Sequence, residues 1–173
     1  MYEIEALTVE RVGALTDQLI DLLVDAVESG ASVGFLPPCD PTEGRAYWTG
    51  VQRAMTQGHR VLLAAVEDGR VWGAVQLDFA AMPNARHRAE VMKLLVHRQV
   101  RRRGIGRALM QAVERAARSA GRTLLVLDTR RGDAAEALYR SLGYVRAGII
   151  PRYARSASGV LEDTVYLYRE LDG

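Results

Sequence analysis

A chain of 173 residues, of which 49% are hydrophobic, is long enough for one domain to bury about 70 per cent of the surface its unfolded state exposes. A formal net charge of +2 argues against a general polyanion binder, the single Cys39 excludes an internal disulfide, and no apolar run reaches the roughly 20 residues that cross a bilayer. With no secretory leader between Met1 and Ile20, the expectation is one soluble, cytoplasmic domain over residues 1–173 with no membrane partner.

Alternation over Tyr2 to Val9 predicts a first strand, and Leu15, Leu19, Leu22, Leu23, Ala26 and Val27 fit one face of a helix over Val12 to Ser29, stopped by Gly30. After the loop Ala31 to Cys39, Asp40-Pro41-Thr42-Glu43 reads as a capping box that opens a helix ending near Gly58. Arg60 to Glu67 and Val71 to Phe79 are apolar strands joined by Asp68-Gly69, a dipeptide suited to a tight hairpin. The loop Ala80 to Arg88 leads into a strand over Ala89 to Val96. From Gly104, Ile105, Ala108, Leu109, Ala112, Val113, Ala116 and Ala117 recur at helical spacing up to Gly121. The continuous apolar run Thr123 to Thr129 predicts a strand buried on both faces, Asp133 can cap a short helix that Gly143 ends, and the strands Tyr144 to Arg152 and Leu161 to Glu170 are bridged by Ser156 to Gly159. The order β-α-α-β-β-β-α-β-α-β-β predicts a mixed α/β fold around one largely antiparallel sheet.

The strand over Ala89 to Val96 feeds its helix through Arg101-Arg102-Arg103-Gly104-Ile105-Gly106-Arg107. The first N–H groups of that helix lack intrahelical partners and lie beside two glycines, so the turn is a seat for phosphate. The helix dipole adds roughly 0.3 to 1 kcal/mol for an anion there, and the guanidiniums can add charge-assisted hydrogen bonds. A dinucleotide fingerprint would need a third glycine where Leu109 stands, and a P-loop would need a lysine where this chain has none; its one lysine, Lys93, lies within the strand.

What remains, R-x-x-G-x-G at Arg101, Gly104 and Gly106 directly after a strand, resembles the acyl-CoA signature of the GCN5-related N-acetyltransferases. A second landmark, Ala135 with Tyr139, Gly143 and Tyr144, resembles the A-x-x-x-Y-x-x-x-G-F/Y ending of that family; where the family often has a cofactor-contacting asparagine, this chain has Gly132. Within the family, Gly30 to Phe35, Pro83-Asn84, Arg88 to Val91, Lys93-Leu94 and Leu127 to Thr129 resemble β-lactam acetyltransferases of the tabtoxin-resistance kind. The resemblance implies the family's fold, acetyl-CoA as co-substrate and a small-molecule amine as acceptor. A tabtoxinine-type β-lactam or a similar amino acid is the specific expectation, in a toxin or antibiotic resistance role.

Acetyl transfer to an amine requires the amine uncharged, the carbonyl polarised and the departing sulfur protonated. An alkylammonium has a pKa of about 10.4, so neutralising it at pH 7 costs about 5 kcal/mol. Glu90 is the first candidate base and Asp128 the second, on strands that the family fold makes adjacent and splays apart. The resemblance assigns the polarising N–H groups to the main chain of Leu94, Leu95 and Val96, and the general acid to Tyr139. It makes Arg101, Arg102, Arg103, Gly104, Ile105, Gly106 and Arg107 the cofactor seat. Phe35, Asn84 and Tyr153, on three loop regions, are the candidate acceptor contacts. Direct attack in a ternary complex is expected, because Cys39 has no assigned histidine partner. His59, His87 and His97 lack ligand spacing, so no metal is expected. A bland reading stands beside each role: a salt bridge with Arg88 for Glu90, a turn or cap for Asp128, core packing for Tyr139. A basic nucleic-acid face over His97 to Arg107 lacks interleaved aromatics, and a non-catalytic CoA sensor would not need Glu90, Asp128 and Tyr139 together. No nucleic-acid partner is expected, and the chain is read as a monomer or homodimer.

Overall fold

The computed structural model describes residues 1–171. Its strands are β1 (Glu3–Ala6), β2 (Arg60–Glu67), β3 (Arg70–Phe79), β4 (Arg88–Val96), β5 (Leu124–Arg130), β6 (Val145–Arg155) and β7 (Leu161–Glu170), and they form one seven-stranded sheet in the order β1-β2-β3-β4-β5-β7-β6. Every neighbouring pair is antiparallel except β4 and β5, which the helix α4 (Ile105–Ser119) connects. A parallel pair needs such a crossover, so the one parallel junction falls where the basic turn lies.

Alternation along the strands divides the core in two. Leu63, Val75, Leu77, Val91, Leu125, Leu127 and Leu167 pack against α4 and α5 (Ala134–Ser141) on one face. Leu62, Ala64, Ala74 and Leu95 meet α1 (Val9–Ala14), α2 (Thr16–Glu28) and α3 (Pro41–Thr56) on the other, around a fully buried Trp48. The Asp68-Gly69 turn has positive φ at both residues (53° and 75°), as a type I′ hairpin requires.

Several expectations are corrected in detail. The first strand is shorter than Tyr2 to Val9, and the helix over Val12 to Ser29 begins earlier and breaks at Leu15, which has ψ 7°. Asp40 caps α3 by accepting from Thr42 N–H at 2.7 Å, one residue short of a capping box, and Glu43 makes no return bond among the described residues. Asp133 stands at the N-cap of α5, but its carboxylate pairs with Arg130 at 3.1 Å; Glu136 accepts the Gly132 N–H at 2.8 Å instead. β6 runs three residues past Arg152, because β7 offers partners as far as Leu161.

Candidate active site

The site is made by two departures from a regular sheet. β4 and β5 pair only at Arg88 with Leu124, Ala89 with Leu125 and Glu90 with Val126; beyond Glu90 the strands diverge. On its other side, β4 has Met92 opposite Gln76 and Leu95 opposite Ala74, so two β4 residues oppose Val75 alone in a β-bulge, and Lys93 there has φ +49°. The His97 N–H donates to Trp72 O at 2.9 Å, so the alternation of an antiparallel ladder turns the Leu95 N–H toward β3. The same alternation directs the N–H groups of Leu94 and Val96 into the gap that β5 leaves.

That gap opens into a cleft of about 950 Å³ running from the start of α4 to the ends of β5 and β7. At one end lie Arg101, Arg102 and Gly104 to Arg107. Gly104 is the N-cap at φ +83°, a left-handed conformation open to glycine, and no side chain caps the helix. A Cβ on Gly106 would come within 3.3 Å of Leu138, on the rim contributed by α5. Arg101 is steadied by Ser29 Oγ at 2.6 Å and Val96 O at 3.2 Å, and Arg107 donates to Ser141 Oγ at 2.8 Å. Free helix N–H groups, a bare glycine backbone and these guanidiniums fit a pyrophosphate.

Farther along the cleft stand Glu90, Asp128 and Tyr139. Glu90 and Asp128 occupy the same face of neighbouring strands, two residues apart in register, since Glu90 lies opposite Val126. The Glu90 carboxyl is held above its ordinary range, first by desolvation and then by the negative charges of Asp128 and Asp78, against which Arg88 and Arg60 pull. Asp128 accepts from Thr164 Oγ1 at 2.9 Å, which orients it. Tyr139 is only 6% exposed, and burial, followed by Asp133 and Asp128, raises its phenol far above the usual range. Its hydroxyl makes no hydrogen bond among the described residues and is not sealed from the cleft. The Tyr139 ring also packs in the core, 5.9 Å from that of Tyr144.

Not every candidate lies on the cleft. Arg103 turns away to pair with Glu67 at 3.2 Å, beside the N-terminal ammonium, and leaves the seat to its neighbours. Phe35 packs edge-on against Tyr47 at 5.4 Å, and Asn84 sits exposed in the 3₁₀ turn Pro83–Ala85; neither lines the cavity. Tyr153 does line it, with its hydroxyl 2.9 Å from that of Tyr166. Sequence reasoning passed over Thr164, which lines the cleft, and Tyr166, which the pairing of β7 with β5 sets opposite Asp128 and whose hydroxyl meets that of Tyr153. It also passed over Lys93, which the bulge turns toward Tyr47 and the loop after α2. Only knowledge of β7's register and of the bulge could have found them. Among the described residues no group of His, Cys, Asp and Glu could hold a metal ion.

A phosphate-type seat joined by one cleft to two carboxylates and a phenol is the arrangement of a group-transfer enzyme. Residues 21–144 match the acetyltransferase (GNAT) family. The chain is 33% identical over 129 residues, 71% of its own length and 75% of the other's, to an uncharacterized N-acetyltransferase from the hisH-hisA intergenic region of Azospirillum brasilense. Among solved structures it is similar to the ribosomal-protein-alanine N-acetyltransferase of Brucella melitensis, with a TM-score of 0.79 and 26% identity over 98% of this chain and 99% of that one. It also shares its fold with the yncA protein of Salmonella typhimurium, solved with its cofactor acetyl-CoA, at a TM-score of 0.81 and 21% identity over 100% and 95% of the two chains. The chain belongs to the GNAT family of acetyltransferases. It is an N-acetyltransferase with the family's mixed α/β sheet.

Proposed function

We propose that the protein uses acetyl-CoA to acetylate the primary amine of a small molecule, by direct attack in a ternary complex. The observation that carries this reading is the continuity of the cleft from the uncapped N-terminus of α4 to Glu90, Asp128 and Tyr139. In it, Arg101, Arg102, Arg107 and the main chain of Gly104, Ile105 and Gly106 hold the pyrophosphate. Acetyl-CoA supplies the acetyl thioester. The N–H groups of Leu94 and Val96 polarise the carbonyl, donors fixed in advance where charge develops. Glu90, with Asp128 beside it, takes the proton from the acceptor ammonium, directly or through water. As the C–N bond forms and the C–S bond breaks, Tyr139 protonates the departing sulfur, and the second proton, shed by the new amide nitrogen, restores the phenol. General acid help of this kind is worth about 10² to 10⁴-fold. A relay through a cysteine is disfavoured, because Cys39 is buried in the other half of the core and burial raises its thiol.

The acceptor suggested by the sequence resemblance is a tabtoxinine-type β-lactam or a related amino acid. The likeness to a ribosomal-protein-alanine N-acetyltransferase makes an N-terminal amine the second reading. Thiol release from acetyl-CoA, followed with a panel of simple amines, amino acids, the β-lactam and a peptide with N-terminal alanine, tests both. Turnover on a small amine with little on the peptide is expected. Acetyl-CoA binding without turnover on any amine would make the protein a sensor, and salt-sensitive DNA binding without acetyl-CoA affinity would overturn the reading altogether.

A further inference from the structure

Lys93 is the chain's only lysine, and its backbone occupies a left-handed conformation more natural to glycine or asparagine. Strict alternation would send its side chain toward the α4 core with Val91. The bulge instead turns it to the opposite face, where its Nζ lies 5.8 Å from the centre of the Tyr47 ring and would be 3.4 Å from a Cβ on Gly34. It thus lies beneath the loop after α2, lining the same cleft as Glu90 and Asp128. Of the other cations near these carboxylates, Arg60 pairs with Asp78 at 2.8 Å and donates to Gln76 at 3.1 Å, Arg130 pairs with Asp133 and Glu162, and Arg88 lies outside the lining of the cleft. Among the described residues Lys93 makes no ion pair and no hydrogen bond. Its pKa is lowered, with desolvation the leading cause, although Asp128 and Glu90 work to raise it and Arg60 to lower it. The acceptor end of the cleft therefore carries one unpaired ammonium facing two carboxylates.

We propose that Lys93 anchors the carboxylate of a zwitterionic, amino-acid-like acceptor, so that the acceptor's amine is presented to Glu90 and Asp128. The inference rests on the acyl-transfer reading above and adds the acceptor's second charged group. The charges of the cleft mirror those of an amino acid, ammonium against carboxylates at one point and carboxylate against ammonium at the other. A simple amine of the same size satisfies only the first, and a polyamine brings its second cation against Lys93.

The test compares free L-amino acids with their α-carboxamides as acceptors, using thiol release by the wild type and by Lys93→Gln and Lys93→Arg. Carboxamide amines deprotonate more readily, so reactivity alone favours the amides. The wild type is expected to prefer the acids, and Lys93→Gln to raise KM for the acids tenfold or more while leaving KM for acetyl-CoA unmoved. Lys93→Arg should restore part of the acid preference. Equal use of acids and amides by the wild type, which needs no variant to fold, would overturn the proposal, as would a Lys93→Gln loss shared by both series. If carboxamides or simple amines are acetylated and acids are not, the anchor fails and the transferase reading stands; if no amine is acetylated, the reading beneath it fails.

Discussion

At Tyr139 burial raises the phenol above its usual range, which suits it at neutral pH to give a proton and not to take one. Tyr139→Phe should lower kcat by about 10² to 10⁴-fold while leaving the dissociation constant for acetyl-CoA nearly unchanged, as steady-state rates and direct titration would read. An unchanged kcat would remove Tyr139 from the acid role. Glu90 must be ionised to act as a base, and its carboxyl is raised, so the acid limb of kcat/KM should lie above the ordinary glutamate value of about 4.3. Asp128→Asn removes one of the repelling charges and should move that limb to lower pH; a stationary limb would dissociate it from Glu90. The same shift has a consequence for stability. A carboxyl with a raised folded pKa favours folding below the ordinary value and loses that contribution as pH rises through the folded value. Glu90→Gln should therefore gain in melting temperature relative to wild type at neutral pH, with the gain shrinking as pH falls through the raised folded value and gone below about pH 4.3.

At the scale of elements, the crossover from β4 through the arginine turn to α4 organises the cleft, and Gly104 is its hinge point at φ +83°. Gly104→Ala should cost about 1 to 2 kcal/mol, the penalty of a Cβ in the left-handed region, and with it about 2 to 4 °C of melting temperature per kcal/mol in a chain of this length. No loss of stability would mean that the turn relaxes without needing glycine. This crossover was legible in the sequence, because an apolar run, two glycines and a helical repeat each follow from local chemistry. Asp68-Gly69 was legible for the same reason. What the sequence left dark depends on partners remote in the chain. The bulge at Lys93 is a mismatch in count against β3, the parting of β4 from β5 is a register that stops at Glu90, and Tyr166 opposite Asp128 is a pairing across the sheet. Arg103 shows the limit from the other side. Its neighbours in the arginine run look identical in sequence, yet the Glu67 carboxylate at the end of β2 draws it away from the cleft.

At the scale of the molecule, two apolar clusters sandwich one sheet, and the cleft is cut where neither fills the gap between β4 and β5. Leu109, fully buried on α4 against the sheet, ties the start of α4 to the core, and Leu109→Ala should cost about 2 to 5 kcal/mol in urea unfolding with little change in slope. A ligand that binds only the folded chain stabilises it in turn, by about 2.7 kcal/mol at a hundred times its dissociation constant. The measurement that bears most directly on the account is calorimetric titration of acetyl-CoA into the wild type and into Gly106→Glu, whose new side chain sets bulk and negative charge against Leu138 at the mouth of the seat. The account predicts one site per chain in the wild type and its loss in a Gly106→Glu protein that still melts cooperatively; undiminished binding by that variant would contradict it.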